Sequence, residues 1–121
     1  MSMPQKVVVL STDLMDRSRF DPLRALDVEV VFVRRAADVL ESITGTGNET
    51  GAGTASGRTV LVVDLARPDA LEAIGQGVAA EIDVVAYGSH VDRDQLDLAH
   101  AVGARSFARS VFFGRLLDTL G

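Results

Sequence analysis

The sequence predicts an α/β fold: a doubly wound, five-stranded parallel sheet with helices on both faces and the strand order 2-1-3-4-5. Two observations predict it. Four Val-rich apolar runs, each bounded by polar residues or glycine, have the length and continuity of strands buried on both sides. Between them stand segments whose apolar residues recur at helical spacing, and right-handed crossovers turn that alternation into a wound sheet. A chain of 121 residues with 47% apolar content is long and apolar enough to bury the core of one domain, here read as residues 1–121.

In chain order, the strands are expected at 6–10, 28–33, 59–64 and 83–87, with a weaker fifth at 106–108. The first helix is expected over 17–26, with Phe20, Leu23 and Leu26 on one face. The second, over 36–43, carries Ala36, Val39, Leu40 and Ile43. The third, 69–80, opens on Asp69-x-x-Glu72, a capping-box pattern in which side chains satisfy the free N–H groups of the first turn. The fourth, 92–102, opens on Asp92-x-x-Gln95 in the same way, and Gly103 is a natural stop beyond its C-terminus. A fifth helix over 111–120 closes the chain. The stretch 44–58, TGTGNETGAGTASGR, is poor in apolar residues and reads as a flexible surface loop. Its Gly51-x-Gly53-x-x-x-Gly57 precedes a strand, whereas a dinucleotide fingerprint follows one and opens a helix; no Gly-Lys pair exists to form a Walker loop.

Composition excludes several roles. Without cysteine there is neither a disulfide framework nor a thiolate metal site. The formal net charge of −5 opposes general nucleic-acid binding, which needs surplus Lys and Arg. Lys6 is the only lysine. The run 7–10 is too short for a signal-peptide core or a membrane span, so a cytoplasmic protein is expected.

In a wound sheet of this order, ligands sit beyond the carboxyl ends of the strands. The residues there are Ser11, Thr12 and Asp13 after the first strand and Asp64 ending the third. Gly88, Ser89 and His90 follow the fourth, with Arg109 and Ser110 after the fifth. Ser89, His90 and Asp92 are sequence neighbours without a Gly-x-Ser-x-Gly elbow, which argues against a hydrolase. His90 and His100 lack an i, i+4 partner, so no metal pair is expected. The segment 11–16 has no glycine and two carboxylates, Asp13 and Asp16, which would repel the phosphate of a flavodoxin-type cofactor. No cofactor is expected.

Asp64-Leu65-Ala66-Arg67-Pro68 resembles the Asp-x-x-x-Pro segment of the receiver domain of bacterial response regulators, in which the aspartate ends the third strand and accepts a phosphoryl group. The resemblance covers nearly the whole chain. Ser11-Thr12-Asp13 stands at the family's acidic cluster, Ala86-Tyr87-Gly88-Ser89-His90 at the end of its fourth strand, and Gly103-Ala104-Arg105-Ser106-Phe107 at its Gly-Ala-x-x-Tyr entry into the fifth. Against that pattern, the two acidic metal-binding positions fall on Ser11 and Thr12, leaving only Asp13 acidic. The family's Thr or Ser falls on Gly88, with Ser89 one residue late. Its lysine falls on Ser110, with Arg109 adjacent. The resemblance therefore implies a degenerate receiver, a pseudo-receiver, that keeps Asp64 without its electrostatic partners. The expectation is a stand-alone, non-enzymatic signalling module acting through a protein partner or self-association. The alternatives are a true phospho-accepting receiver using Asp64 and a small-ligand-binding or enzymatic flavodoxin-like domain. Receivers, by the same resemblance, make contacts through the fourth helix, fifth strand and fifth helix, which places Phe112, Phe113, Arg109 and Arg115 at an expected interface. Phe112 and Phe113 stand about 100° apart on a helix, so one ring, taken to be Phe112, is expected to face outward.

Overall fold

The computed structural model describes residues 4–11, 15–44 and 58–120. Its centre is a parallel sheet of β1 (Lys6–Leu10), β2 (Glu29–Val33), β3 (Thr59–Asp64), β4 (Asp83–Gly88) and β5 (Arg105–Ala108) in the order β2-β1-β3-β4-β5, as the sequence predicts. The register pairs Leu10 with Val33 and Val63, Asp64 with Tyr87, and Gly88 with Ala108. The carboxyl ends of the strands thus come together along one edge of the sheet.

Because strand side chains alternate, each Val-rich run feeds two cores. Val8, Leu10, Leu61, Val63, Val84 and Ala86 face α3 (Ala36–Thr44), α4 (Ala70–Ala79) and α5 (Arg93–Ala101). Val7, Val9, Val60, Val62, Val85 and Tyr87 face the other helical layer. That layer is built from α1 (Met15–Ser18), α2 (Asp21–Arg24), α6 (Arg109–Gly114) and α7 (Leu116–Leu120). Gly77 lets α4 approach closely, since a Cβ there would stand 2.6 Å from Val84 Cγ2 and 2.9 Å from Leu61 Cδ2.

Four expectations are corrected. The first helix is two short ones: Pro22, in the first turn of α2, lacks the N–H that a continuous helix would need, and three-residue turns at Arg19 and Phe20 bridge the break. Phe20 and Leu23 are buried as expected, whereas Leu26 is 49% exposed. Leu40 likewise points outward while Val39 fills the core. The final helix is also split, at Arg115 after Gly114, whose missing side chain weakens a helix interior. Neither expected capping box forms: Asp69 and Asp92 stand at the N-cap positions but do not cap their own helices with their side chains. Asp69 Oδ2 instead accepts from the Ala36 N–H at 2.8 Å and so caps α3, its neighbour. Gly103 ends α5 as expected, at φ +110°, with Gly103 N–H bonded to His100 O and Ala104 N–H to Ala99 O. Of the loop expected over 44–58, residues 45–57 lie outside the described residues, and Thr44 ends α3. Among the described residues, no helix is long and apolar enough to cross a membrane.

Candidate functional site

Where β3, β4 and β5 end, a cavity of about 460 Å³ opens between the loops that follow them, lined by Asp64, Tyr87, Ser89, His90, Asp92 and Arg109 among others. The sheet places its floor. Asp64 is the last residue of β3, and Leu65 N–H, one step on, still bonds Tyr87 O at 2.9 Å. Asp64 is only 4% exposed, and its Oδ1 accepts the Ala66 N–H at 2.9 Å, which ties the carboxylate to the turn that follows. The position at the end of β4 that a hydroxyl residue would take is Gly88. A Cβ there would lie 3.2 Å from Leu65 Cβ and 3.3 Å from its Cδ1, so a serine would need the leucine to give by a few tenths of an ångström.

Beside Asp64 lies a buried ionic cluster centred on Asp16, in α1, which is fully buried. Arg109, at the start of α6, grips it with both arms: Nη1 donates to Oδ2 at 2.8 Å and Nη2 donates to Oδ1. The Tyr87 hydroxyl donates to the same Oδ2 at 3.0 Å, and Ser11 Oγ lies 3.4 Å from it and 3.2 Å from the Tyr87 oxygen. A carboxylate removed from water requires this kind of compensation, and a bidentate guanidinium with two hydroxyls supplies it. The hydrogen bond to Asp16 raises the Arg109 pKa above its ordinary value; burial opposes this, and the charges of Asp16 and Asp64 add to it. Tyr87 is pushed well above the usual phenol range, mainly by burial, against the Ser11 hydrogen bond and with the charges of Asp64 and Asp16 contributing. Both carboxylates therefore act on the same guanidinium and the same phenol.

Of the residues expected at the site, Asp64, Gly88, Ser89, Arg109 and Ser110 line the cavity, and Ser11 joins the Asp16 cluster. Ser89 Oγ accepts the Val91 N–H at 3.3 Å, a local turn contact. Thr12 and Asp13 lie outside the described residues. His100 is exposed on α5. The outward placement of Phe112 is corrected. The ring is fully buried and stacks on Tyr87 at 5.0 Å with 9° between planes, because α6 is rotated to present it to the sheet. Phe113 is the half-buried ring, with the guanidinium groups of Arg19 at 4.9 Å and of Arg109 at 5.2 Å from its centre. Arg115 is exposed at the break between α6 and α7.

Sequence reasoning missed the two groups that organise the site, Asp16 and Tyr87. Asp16 is visible in the sequence only as a second carboxylate after the first strand. Tyr87 is hidden in an apolar strand run. The one available signal is Arg109, a cation at the end of a buried strand that must find an anion.

The magnesium ion implied by the receiver resemblance does not fit the arrangement of the described residues, which leave out Asp13. Such an ion takes several oxygen ligands, carboxylates above all. Among the described residues, no group of three or more His, Asp or Glu could hold a metal, and both Asp16 oxygens are bonded to Arg109.

No protein-family model matches the chain, and no curated protein does. Solved structures do. The phosphorylated cyanobacterial phytochrome response regulator RcpA aligns over 97% of this chain and 89% of its own, with a TM-score of 0.69 at 17% identity. A response regulator receiver domain from Rhodospirillum rubrum aligns over 94% and 89%, with a TM-score of 0.64 at 16% identity. The chain has the fold of response-regulator receiver domains.

Proposed function

We propose that the chain is a cytoplasmic signalling module of the receiver fold that works through protein contacts and neither phosphorylates at Asp64 nor acts as an enzyme. The observation that carries the reading is the engagement of Arg109. The cation beside Asp64 holds Asp16 with both arms, so an incoming phosphoryl group would compete with a buried carboxylate for it. Phosphoryl transfer is catalysed by positioning and by neutralising charge on the transferred group. With Gly88 offering no hydroxyl and the carboxylate cluster ill-suited to magnesium, those functions lack a provider among the described residues.

The partner surface in this proposal is the face of α5, β5, α6 and α7. Leu98, Val102, Val111 and Leu117 are exposed there, together with Arg105 and Arg115. Phe112 no longer belongs to it, and Phe113 contributes only an edge.

The test is incubation with acetyl phosphate and Mg²⁺ followed by intact-mass measurement. The expected spectrum shows no phosphoryl adduct in the wild type or in Asp64→Asn. An adduct present in the wild type and absent from Asp64→Asn would overturn the proposal in favour of a true receiver.

A further inference from the structure

We infer that Arg17 and Arg19, each held over a half-buried phenylalanine ring, form a docking surface for an acidic segment of a partner protein, met through its carboxylates. The surface runs from Phe32 on β2, the sheet edge opposite β5, to Phe113 on α6, so it meets the partner face proposed above only at Phe113. It goes beyond the signalling reading and stands whether or not Asp64 accepts a phosphoryl group.

The local sequence builds this surface. Asp16 and Phe20 stand four residues apart and are both fully buried, so one row of the segment faces the core. At about 100° per residue, Arg17 and Arg19 fall on opposite sides of that row, and both are exposed. The Arg17 guanidinium lies 5.0 Å from the centre of the Phe32 ring, and that of Arg19 lies 4.9 Å from the centre of Phe113. Both rings pack edge-on against Phe20, at 5.9 and 5.5 Å between centres. One buried aromatic thus sets the two cations on a single stretch of surface.

The neighbouring arginines have carboxylates of their own. Arg24, 5.6 Å from the Phe32 ring, pairs with Asp21 at 3.6 Å, and Arg109 holds Asp16. Among the described residues, no carboxylate pairs with Arg17 or Arg19. In a chain of formal net charge −5, these two cations make a local inversion of charge. A guanidinium over a ring keeps its in-plane N–H donors free for a carboxylate, and the ring limits the side-chain freedom lost on binding. Exposed charges act over only about 8 Å at physiological salt, so a short acidic segment responds to the patch alone. A nucleic acid or a membrane surface extends further and meets the surplus of Asp and Glu beyond it.

The experiment is an amide NMR titration with a short Glu-rich peptide and its Gln-rich counterpart, at low and at physiological salt. The Glu-rich peptide should shift the amides of Arg17, Arg19, Phe32 and Phe113, more weakly as salt rises, and the Gln-rich peptide should leave them in place. R17Q/R19Q should raise the Kd for the Glu-rich peptide at least about tenfold at an unchanged Tm. R93Q, an exposed charge on α5, should bind as the wild type does. Should R17Q/R19Q lose its fold, the position of the shifts on the wild type decides. Absence of saturable binding, shifts centred elsewhere, or an equal loss in R93Q would overturn the inference. So would duplex DNA or phosphatidylserine vesicles that bind the wild type at physiological salt and not R17Q/R19Q, since they identify a different occupant.

Discussion

Phe112 and Phe113 are adjacent in sequence and opposite in environment. A helical wheel tells that both cannot face inward, but the apolar neighbours do not settle which one turns out: Phe112 has Leu116 at i+4, and Phe113 has Leu116 and Leu117 at i+3 and i+4. The choice falls to the sheet: Tyr87 presents a flat face at the end of β4, and the Phe112 ring lies parallel to it. Phe113 meets the same tyrosine edge-on at 5.1 Å and covers the cluster from outside. Phe112→Ala should therefore destabilise the fold by about 3–5 kcal/mol in urea unfolding, the cost of emptying a packed aromatic site. A loss under about 1 kcal/mol would show that the ring is not core. At this scale the sequence was legible for strand residues, whose burial follows from their apolar runs. It was illegible for Asp16, since nothing local distinguishes a buried, paired aspartate from the solvent-facing Asp21.

The secondary-structure elements were legible in type and order, less so in how they end. The first four strands read correctly because each is a short apolar run with polar flanks. Helix interruptions depended on one residue each, Pro22 and Gly114, inside otherwise periodic segments. The misread caps have a physical reason. Asp69 is positioned to bond its own helix, yet the Ala36 N–H of α3 and the Arg67 guanidinium, at 2.8 Å from Oδ1, take both of its oxygens. Non-local partners of this kind leave no trace in a local pattern. The Arg67 hydrogen bond is the main cause that lowers the Asp69 pKa, opposed by burial and aided by the Ala36 N–H. A carboxylate depressed on folding contributes stability above its unfolded pKa of about 4, and that contribution is lost as pH falls below it. Asp69→Asn should cost about 2 kcal/mol at neutral pH. The gap between variant and wild type should narrow as denaturation is repeated from pH 5 down to pH 3. A gap that stays constant would remove Asp69 from the acid response.

For the molecule as a whole, the sheet order followed from strand and helix alternation alone, while the site required contacts between residues far apart in the chain. Asp16 and Arg109 are 93 positions apart, and Asp16 and Tyr87 are 71 apart. No spacing rule joins them; only the wound topology does, by bringing the ends of β1, β4 and β5 to one edge. One consequence of this placement is optical. The chain has a single tyrosine and no tryptophan, so its near-ultraviolet absorption and emission above the phenylalanine bands come from Tyr87, the phenol that bonds Asp16. Spectroscopy on the unlabelled protein, usually an average over many scattered chromophores, here interrogates one hydroxyl. Because the folded phenol is held above its ordinary pKa of about 10, stability should be intact below that pH and fall above it, where only the unfolded chain ionises. In an alkaline titration the phenolate band should therefore stay silent through the ordinary tyrosine range and then rise together with the loss of far-ultraviolet circular dichroism. A phenolate signal that precedes unfolding would mean that water reaches the Asp16 cluster in the native state.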